Sequence, residues 1–249
     1  MAGHSKWSNI KHRKGKEDAR RGKIFTKLTR QITIAAREGG GDPESNFRLR
    51  LAMDKARDAN MPNENVERAI KRGLGELDGQ NLEEIVYEGY GPSGMAVLLE
   101  VLTDNRNRTA SELRHVFSKH GGNLGENGCV AWMFSSKGRL VMERKDGFQD
   151  DDNLMLAAIE AGAEDMEADD ELIEIFTAPN QLKGVKEELE KAGYSFDDSG
   201  IIMVPENLQD IPDDTTADAL RLLEALQELD DVQEVYTNGE FAEDILEVS

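Results

Sequence analysis

The chain has only one cysteine, Cys129, among 249 residues, which excludes an intrachain disulfide framework. It also has no apolar run close to the roughly 18 residues that suggest a membrane span. The opening residues MAGHSKWSNIKHRKGK lack the apolar segment of a secretory signal. We therefore expect a cytoplasmic protein with no membrane contact, in which Cys129 is a reduced core residue.

Histidine is scarce too, with four in the chain. His115 and His120 are five residues apart on a predicted helix, whereas a helical pair of metal ligands is spaced at i and i+4. The acidic run Asp150–Asp152 has no nearby group that would make it an acid–base or cation site, so it is interpreted as solvated loop charge. These absences predict no enzyme activity, no metal, no cofactor and no small-molecule substrate.

Charge of the two signs is separated along the chain, although the net charge is −20. Residues 1–37 hold 11 Lys and Arg against two acidic residues, which gives +9. Residues 81–249 hold 12 Lys and Arg against 39 acidic residues, which gives −27. A basic segment favours contact with a polyanion, whereas the acidic remainder repels one. Nucleic-acid contact is therefore expected at the N-terminal head, residues 1–78.

The head begins with a basic arm, residues 1–23, which also carries aromatic rings able to stack on bases. From Gly22 to Arg37, apolar residues such as Leu28 and Ile32 recur at helical spacing and basic residues fall on another face. This pattern predicts an amphipathic helix with a basic stripe of Lys23, Lys27, Arg30 and Arg37. The alternative is a solubilising, disordered tail. The predicted nucleic-acid-binding residues of the head are Lys6, Trp7, Lys11, His12, Arg13, Lys14, Lys16, Arg20, Arg21, Lys23, Lys27, Arg30 and Arg37.

The segment TDNRNRT, residues 103–109, adds Arg106 and Arg108 to the candidates, because backbone N–H groups at a helix start favour anions. The alternative is a helix-capping turn whose arginines pair with local acids. Residue chemistry alone does not decide between the two. No helix-turn-helix with base-reading side chains is evident, which favours structured RNA over duplex DNA as the target.

The order of predicted elements divides the chain into three domains. In the head, Asp42 and Pro43 are predicted to open a second helix and Pro62 a third. A hairpin follows, made of EEIVYEGYG and GMAVLLEVLTD, then a helix capped by Thr109 and Glu112, and a strand around Cys129–Phe134. Residues 137–205 alternate strand, helix, strand, helix, strand, and the tail adds a helix and a strand. The predicted domains are residues 1–78, residues 79–135 with 206–249, and residues 136–205.

The motifs MAGHSKW, RGKIFTKL, GGGDP, YEGYGP, TDNRNRT, HGGNLG and DDVQEVY occur in this order, and the chain resembles the YebC family over nearly its whole length. The resemblance implies an α+β fold, with an N-terminal helical bundle followed by two α/β, ferredoxin-like domains, the last inserted in the middle one. It also implies no catalytic activity and no cofactor. The family includes probable transcriptional regulators that bind DNA, ribosome-associated factors said to assist synthesis of proline-rich chains, and mitochondrial translational activators of a cytochrome oxidase subunit.

These observations together predict a nucleic-acid-binding regulator of gene expression, which acts as a transcriptional regulator or as a ribosome-associated translational activator. Its partners would be ribosomal RNA or DNA, and the ribosome itself is a candidate partner. An alternative from a different class is an adaptor whose acidic α/β body binds a basic protein.

Overall fold

A computed structural model describes residues 21–79, 81–144 and 151–241. The predicted α+β fold class is confirmed, because helices come first and two four-stranded sheets with helices follow. No helix in this described part combines the length and the apolar character needed to cross a membrane. The helices are α1 (Arg21–Gly39), α2 (Phe47–Asp58), α3 (Asn63–Gly73), α4 (Arg106–Lys119), α5 (Asp151–Ala161), α6 (Leu182–Lys191) and α7 (Asp213–Gln227). The strands are β1 (Glu83–Tyr90), β2 (Ala96–Thr103), β3 (Asn123–Leu124), β4 (Phe134–Glu143), β5 (Asp165–Ala168), β6 (Leu172–Thr177), β7 (Asp198–Pro205), β8 (Gln209–Asp210), β9 (Val232–Thr237) and β10 (Gly239–Glu240).

The head is a bundle of α1, α2 and α3 around one apolar core. The predicted apolar face of α1 supplies Leu28 and Ile32 to that core, and both are buried. Gly73 ends α3 directly against α1, where an added Cβ would lie 2.4 Å from the Thr33 carbonyl oxygen. Only glycine therefore permits this close approach of the two helices.

The predicted start of α2 at Asp42 and Pro43 is wrong, because the helix begins at Phe47 with Asn46 as its N-cap. The Asn46 side chain accepts a hydrogen bond from the Leu49 N–H and donates to the Ala35 and Gly40 carbonyls. Asn46 thus caps α2 and ties it to the end of α1, which Asp42 could not do from its place in the preceding turn. The predicted start of α3 at Pro62 is confirmed.

The middle sheet has the strand order β3-β1-β2-β9, with antiparallel pairing throughout. The predicted hairpin is confirmed: β1 and β2 pair from Glu83↔Thr103 to Tyr90↔Ala96. Helices α4 and α7 cover one face of this sheet. Leu99 of β2 is buried there against Leu113 and Phe117 of α4 and Leu222 and Leu226 of α7.

Two details of this region differ from the prediction. Helix α4 begins at Arg106 with Asn105 as its N-cap, and Thr109 is buried within the helix instead of capping it. The predicted strand around Cys129–Phe134 is wrong, since residues 131–133 form a short 3₁₀ helix and β4 begins at Phe134. Cys129 is a free thiol and is only half-buried.

Contacts within the chain define two compact units. The smaller unit is Ser135–Val204, and the larger one contains the described residues 21–134 and 205–241. The smaller unit has the order βαββαβ, with the sheet β5-β6-β4-β7 and helices α5 and α6. Strand β5 is absent from the sequence prediction, because its residues DMEA are too short and too polar to signal a strand.

Candidate nucleic-acid interface

Three residues of the predicted basic stripe bind other parts of the larger unit. Lys23 Nζ lies 3.0 Å from the Glu228 carbonyl oxygen and 2.8 Å from Glu228 Oε2. Lys27 Nζ donates to the Gln227 carbonyl oxygen at 2.6 Å. Both cations therefore lie at the C-terminal end of α7, where carbonyl groups without intrahelical partners and the helix dipole attract positive charge.

Arg30 makes the most extensive of these contacts. Its Nη1 is 2.6 Å from the Asp230 carbonyl oxygen, 3.2 Å from that of Leu102 and 2.7 Å from Asp231 Oδ1. The Arg30 side chain is only 14% exposed. The guanidinium thus fastens α1 to the end of β2 and to the turn before β9.

Asp231 is the buried acceptor at the centre of this contact. Its Oδ2 accepts hydrogen bonds from Thr109 Oγ1 at 2.6 Å, from Arg108 Nη2 at 2.9 Å and from Thr103 Oγ1 at 3.1 Å. Burial alone would raise the pKa of this carboxyl, but the hydrogen bonds from Thr109 and Arg108 and the charge of Arg30 outweigh burial and lower it. Asp231 is therefore ionised and joins α1, β2 and α4.

The segment TDNRNRT contributes to the same cluster. The Asn105 side chain accepts the Arg108 N–H as the helix cap, and Arg108 Nη2 also contacts Asp104 Oδ1 at 2.8 Å. This is the capping-turn arrangement that the sequence left open as the alternative. Arg106 is more available, because it is 66% exposed and its Nε lies 3.8 Å from Glu83. Nucleic-acid contact by Arg106 and Arg108 stays a prediction.

Three exposed cations of the described head lie near the ends of α1 and α3, apart from Arg48, Arg57 and Arg68, which are paired with acidic residues. Arg37 is exposed, and its Nη1 is 3.5 Å from Asn81 Oδ1. Lys71 and Arg72 occupy the last turn of α3, are exposed, and form no salt bridge with another described residue. A Cβ added at Gly73 would lie 3.1 Å from the Arg37 backbone nitrogen, so Arg37 lies beside the last turn of α3 and the three cations mark one edge of the head. Sequence reasoning missed Lys71 and Arg72, although basic residues before a terminal glycine were visible.

Outside the described residues lie Lys6, Trp7, Lys11, His12, Arg13, Lys14, Lys16 and Arg20, together with the side chain of Arg21. Among the residues that the structure does describe, no group of three or more His, Cys, Asp or Glu side chains could hold a metal ion.

An exposed tryptophan offers a second candidate for base contact. Trp132 is 69% exposed, and its Nε1 donates to the Cys129 carbonyl oxygen at 3.1 Å, which fixes the ring. The preceding loop is held by the buried Glu88 carboxylate, which accepts the N–H groups of Gly128, Val130 and Ala131 at 2.6–2.7 Å. The predicted strand around Cys129–Phe134 includes Trp132, because Trp132 lies in the apolar run CVAWMF. Such a fixed, exposed ring suits stacking against an unpaired base.

The loop that carries Trp132 should depend on ionised Glu88. Burial raises the pKa of this carboxyl, but three backbone hydrogen bonds outweigh burial and lower it. A carboxyl whose pKa is lowered by folding stabilises the folded state fully at pH values above its pKa in the unfolded chain. This contribution to the free energy of unfolding is lost as the pH falls towards the pKa in the folded state. Replacing Glu88 by Gln turns an amide NH₂ towards N–H donors, which should cost about 1–3 kcal/mol at neutral pH.

Denaturant unfolding of the two proteins at pH 7 and at pH 4 measures this effect. The difference in free energy of unfolding between the wild type and Glu88→Gln should be smaller at pH 4, because Glu88 then contributes less to the stability of the wild type. Glu126→Gln changes an exposed carboxyl of the same loop and should leave stability nearly unchanged. If this difference in free energy of unfolding were the same at pH 7 and pH 4, the charge of Glu88 would not contribute to stability.

Comparison with known proteins agrees with the resemblance found in the sequence. Residues 5–76 match a family model described as the TACO1/YebC protein N-terminal domain, and residues 82–239 match one described as the TACO1/YebC second and third domain. The chain belongs to the YebC family. The boundary between the two models falls in the link from α3 to β1.

Relatives of this YebC-family chain extend over its full length. A probable transcriptional regulatory protein of Halothermothrix orenii is 57% identical over 99% of this chain and 98% of its own. One of the same description from Persephonella marina is 55% identical over 99% of both chains. The crystal structure of a conserved hypothetical protein from Aquifex aeolicus superposes with a TM-score of 0.89, at 50% identity, over 97% of this chain and 99% of its own.

Proposed function

We propose that this YebC-family chain is a nucleic-acid-binding regulator of gene expression whose arm carries the main contact. The observation that carries the proposal is the separation of charge, +9 over residues 1–37 against −27 over residues 81–249. Phosphate contacts by Lys and Arg supply most of the affinity of such proteins. The acidic remainder keeps the polyanion at the head and limits binding elsewhere.

The positions of the cations refine which residues take part. Lys23, Lys27 and Arg30 hold α1 on the middle sheet and α7, so their charges are already compensated within the chain. The arm therefore supplies most of the binding, and the edge formed by Arg37, Lys71 and Arg72 extends it along the head. The proposal therefore differs from the sequence prediction, in which the whole basic stripe of α1 contacts the nucleic acid.

Structured RNA is the target that we favour. Trp7 and His12 of the arm and the exposed Trp132 are ring systems suited to bases outside a regular duplex. Ribosomal RNA, with the ribosome as the partner, would make the protein a cytoplasmic translational activator. The description of the relatives as probable transcriptional regulatory proteins supports the other form, a transcriptional regulator on DNA. Phosphate contacts alone would give such a regulator weak sequence preference. In either form the protein acts without catalysis or a cofactor.

Fluorescence anisotropy of the full-length chain with a labelled hairpin RNA and a labelled duplex DNA of equal length tests the proposal. Affinity for both should fall steeply between about 50 and 200 mM salt, because binding releases counterions from the phosphates. The hairpin should bind at least about tenfold more tightly, since only unpaired bases can stack on the rings. Tighter binding to the duplex would restore the DNA form, and no binding to either at low salt would refute the proposal.

A further inference from the structure

Helix α5 of the smaller unit presents an apolar surface to solvent. Met155, Leu156 and Ile159 are 43%, 60% and 62% exposed, and their spacing of i, i+1 and i+4 places them on one face. On the opposite face, Leu154 and Ala158 are buried in the unit. A surface helix normally turns charged or polar residues outward, and a helix that is apolar on both sides is normally covered. Something is therefore expected to cover this face.

Negative charge surrounds the apolar face. The α5 sequence DDNLMLAAIEA contains three acidic residues and no Lys or Arg. Asp152 and Glu160 are exposed at its two ends, while Asp151 is paired with Arg144 at 2.6 Å. Across residues 135–204, 7 Lys and Arg stand against 18 Asp and Glu, a balance of −11. A partner must therefore combine apolar side chains with positive charge.

We propose that the exposed face of α5 binds a basic, amphipathic segment of another protein. Apolar side chains of that segment would contact Met155, Leu156 and Ile159, and its Lys or Arg side chains would lie beside Asp152 and Glu160. An apolar centre with a charged rim is the usual anatomy of a protein interface. Three anchor side chains form a small patch, so binding is transient, in keeping with a recruited partner.

The negative charge around the apolar face argues against a second copy of the chain and against a nucleic acid as the occupant. In a symmetric dimer the same patch meets itself, so Asp152 and Glu160 of one copy would face those of the other at like charge. A nucleic acid would be repelled by the same residues. The site shares no residue with the nucleic-acid contacts of the head, so its loss should leave those contacts intact.

A synthetic peptide tests the proposal directly. The probe is a labelled amphipathic helix built only of Leu and Lys, and its control has Glu in place of every Lys. The full-length chain should bind the Leu/Lys peptide and not the Leu/Glu peptide. The double variant Leu156→Ser with Ile159→Ser should weaken binding at least about tenfold, because a few buried side chains at the centre of an interface supply most of the binding energy. Val86→Ser removes a comparably exposed side chain of the larger unit and should have no effect.

Charge is tested separately. Asp152→Asn with Glu160→Gln should weaken the Leu/Lys peptide and flatten its salt dependence. Melting temperatures of all variants should match the wild type, because the replaced side chains are exposed. RNA and DNA binding should also be unchanged. The proposal would be overturned if both peptides bound equally well, or if the double variant bound the Leu/Lys peptide as tightly as the wild type does. A dimer that is detected by sedimentation and is abolished in the double variant would identify a second copy of the chain as the occupant instead.

Discussion

Replacing Lys11, Arg13, Lys14 and Lys16 of the arm by Glu is expected to weaken binding to a labelled hairpin RNA by at least about 100-fold at 100 mM salt. Each substitution removes a phosphate partner and adds a charge that repels the polyanion. If these four residues make most of the phosphate contacts, the slope of log affinity against log salt should also become several units shallower. Fluorescence anisotropy over a salt series measures both quantities.

A charge-matched control separates a local contact from a general field effect. Lys183→Glu, Lys191→Glu, Arg114→Glu and Lys119→Glu change the net charge equally in the acidic part of the chain, and all four residues are exposed. This variant should bind almost as well as the wild type. If both variants lost affinity to the same degree, net charge alone would explain the result and the arm would have no specific role.

Replacing Asp231 by Ala is expected to lower the free energy of unfolding of the larger unit by about 3 kcal/mol. The substitution leaves the guanidinium of Arg30, which is 14% exposed, without its carboxylate partner, and it removes the acceptor for Thr103 and Thr109. Losing one member of a buried pair costs more than the pair contributes, because the remaining charge is desolvated and unpaired. Denaturant unfolding at pH 7 measures the change.

Asp230→Asn is the control for Asp231→Ala. Asp230 is exposed and contributes its backbone carbonyl to Arg30, so the substitution removes a neighbouring negative charge and leaves the hydrogen bond in place. Its effect should stay within about 0.5 kcal/mol. Because the pKa of Asp231 is lowered in the folded protein, its contribution is full above the unfolded pKa and is lost as the pH falls. A difference between Asp231→Ala and the wild type that persisted in strong acid would contradict this account.

Much of the fold follows from local patterns that the sequence displays. The helical spacing of Leu28 and Ile32 predicted the buried face of α1, and the runs EEIVYEGYG and GMAVLLEVLTD predicted the hairpin of β1 and β2. Where several neighbouring polar residues could each cap a helix, the local pattern does not predict which one is the N-cap. Asp42 and Asn46 are both good N-caps, and only the proximity of the Ala35 and Gly40 carbonyls selects Asn46.

The partners of the basic stripe could not be predicted, since they depend on contacts between distant parts of the chain. Arg30 and its carboxylate partner Asp231 are 201 residues apart in the sequence. A basic residue on a helix looks the same in a sequence whether it faces a phosphate or an internal carboxylate. Trp132 presents the reverse case, because its apolar neighbours suggest a buried strand and the hydrogen bonds to Glu88 make a loop instead.

The 201 residues between Arg30 and Asp231 also mean that these two partners are synthesised at different times. A ribosome makes α1 first, yet the carboxylate that receives Arg30, together with β9 of the central sheet, emerges only after the whole of Ser135–Val204 has been made. Domains tend to fold as they emerge. The N-terminal helices can therefore form early, but Lys23, Lys27 and Arg30 lack these partners until residues 227–231 have emerged.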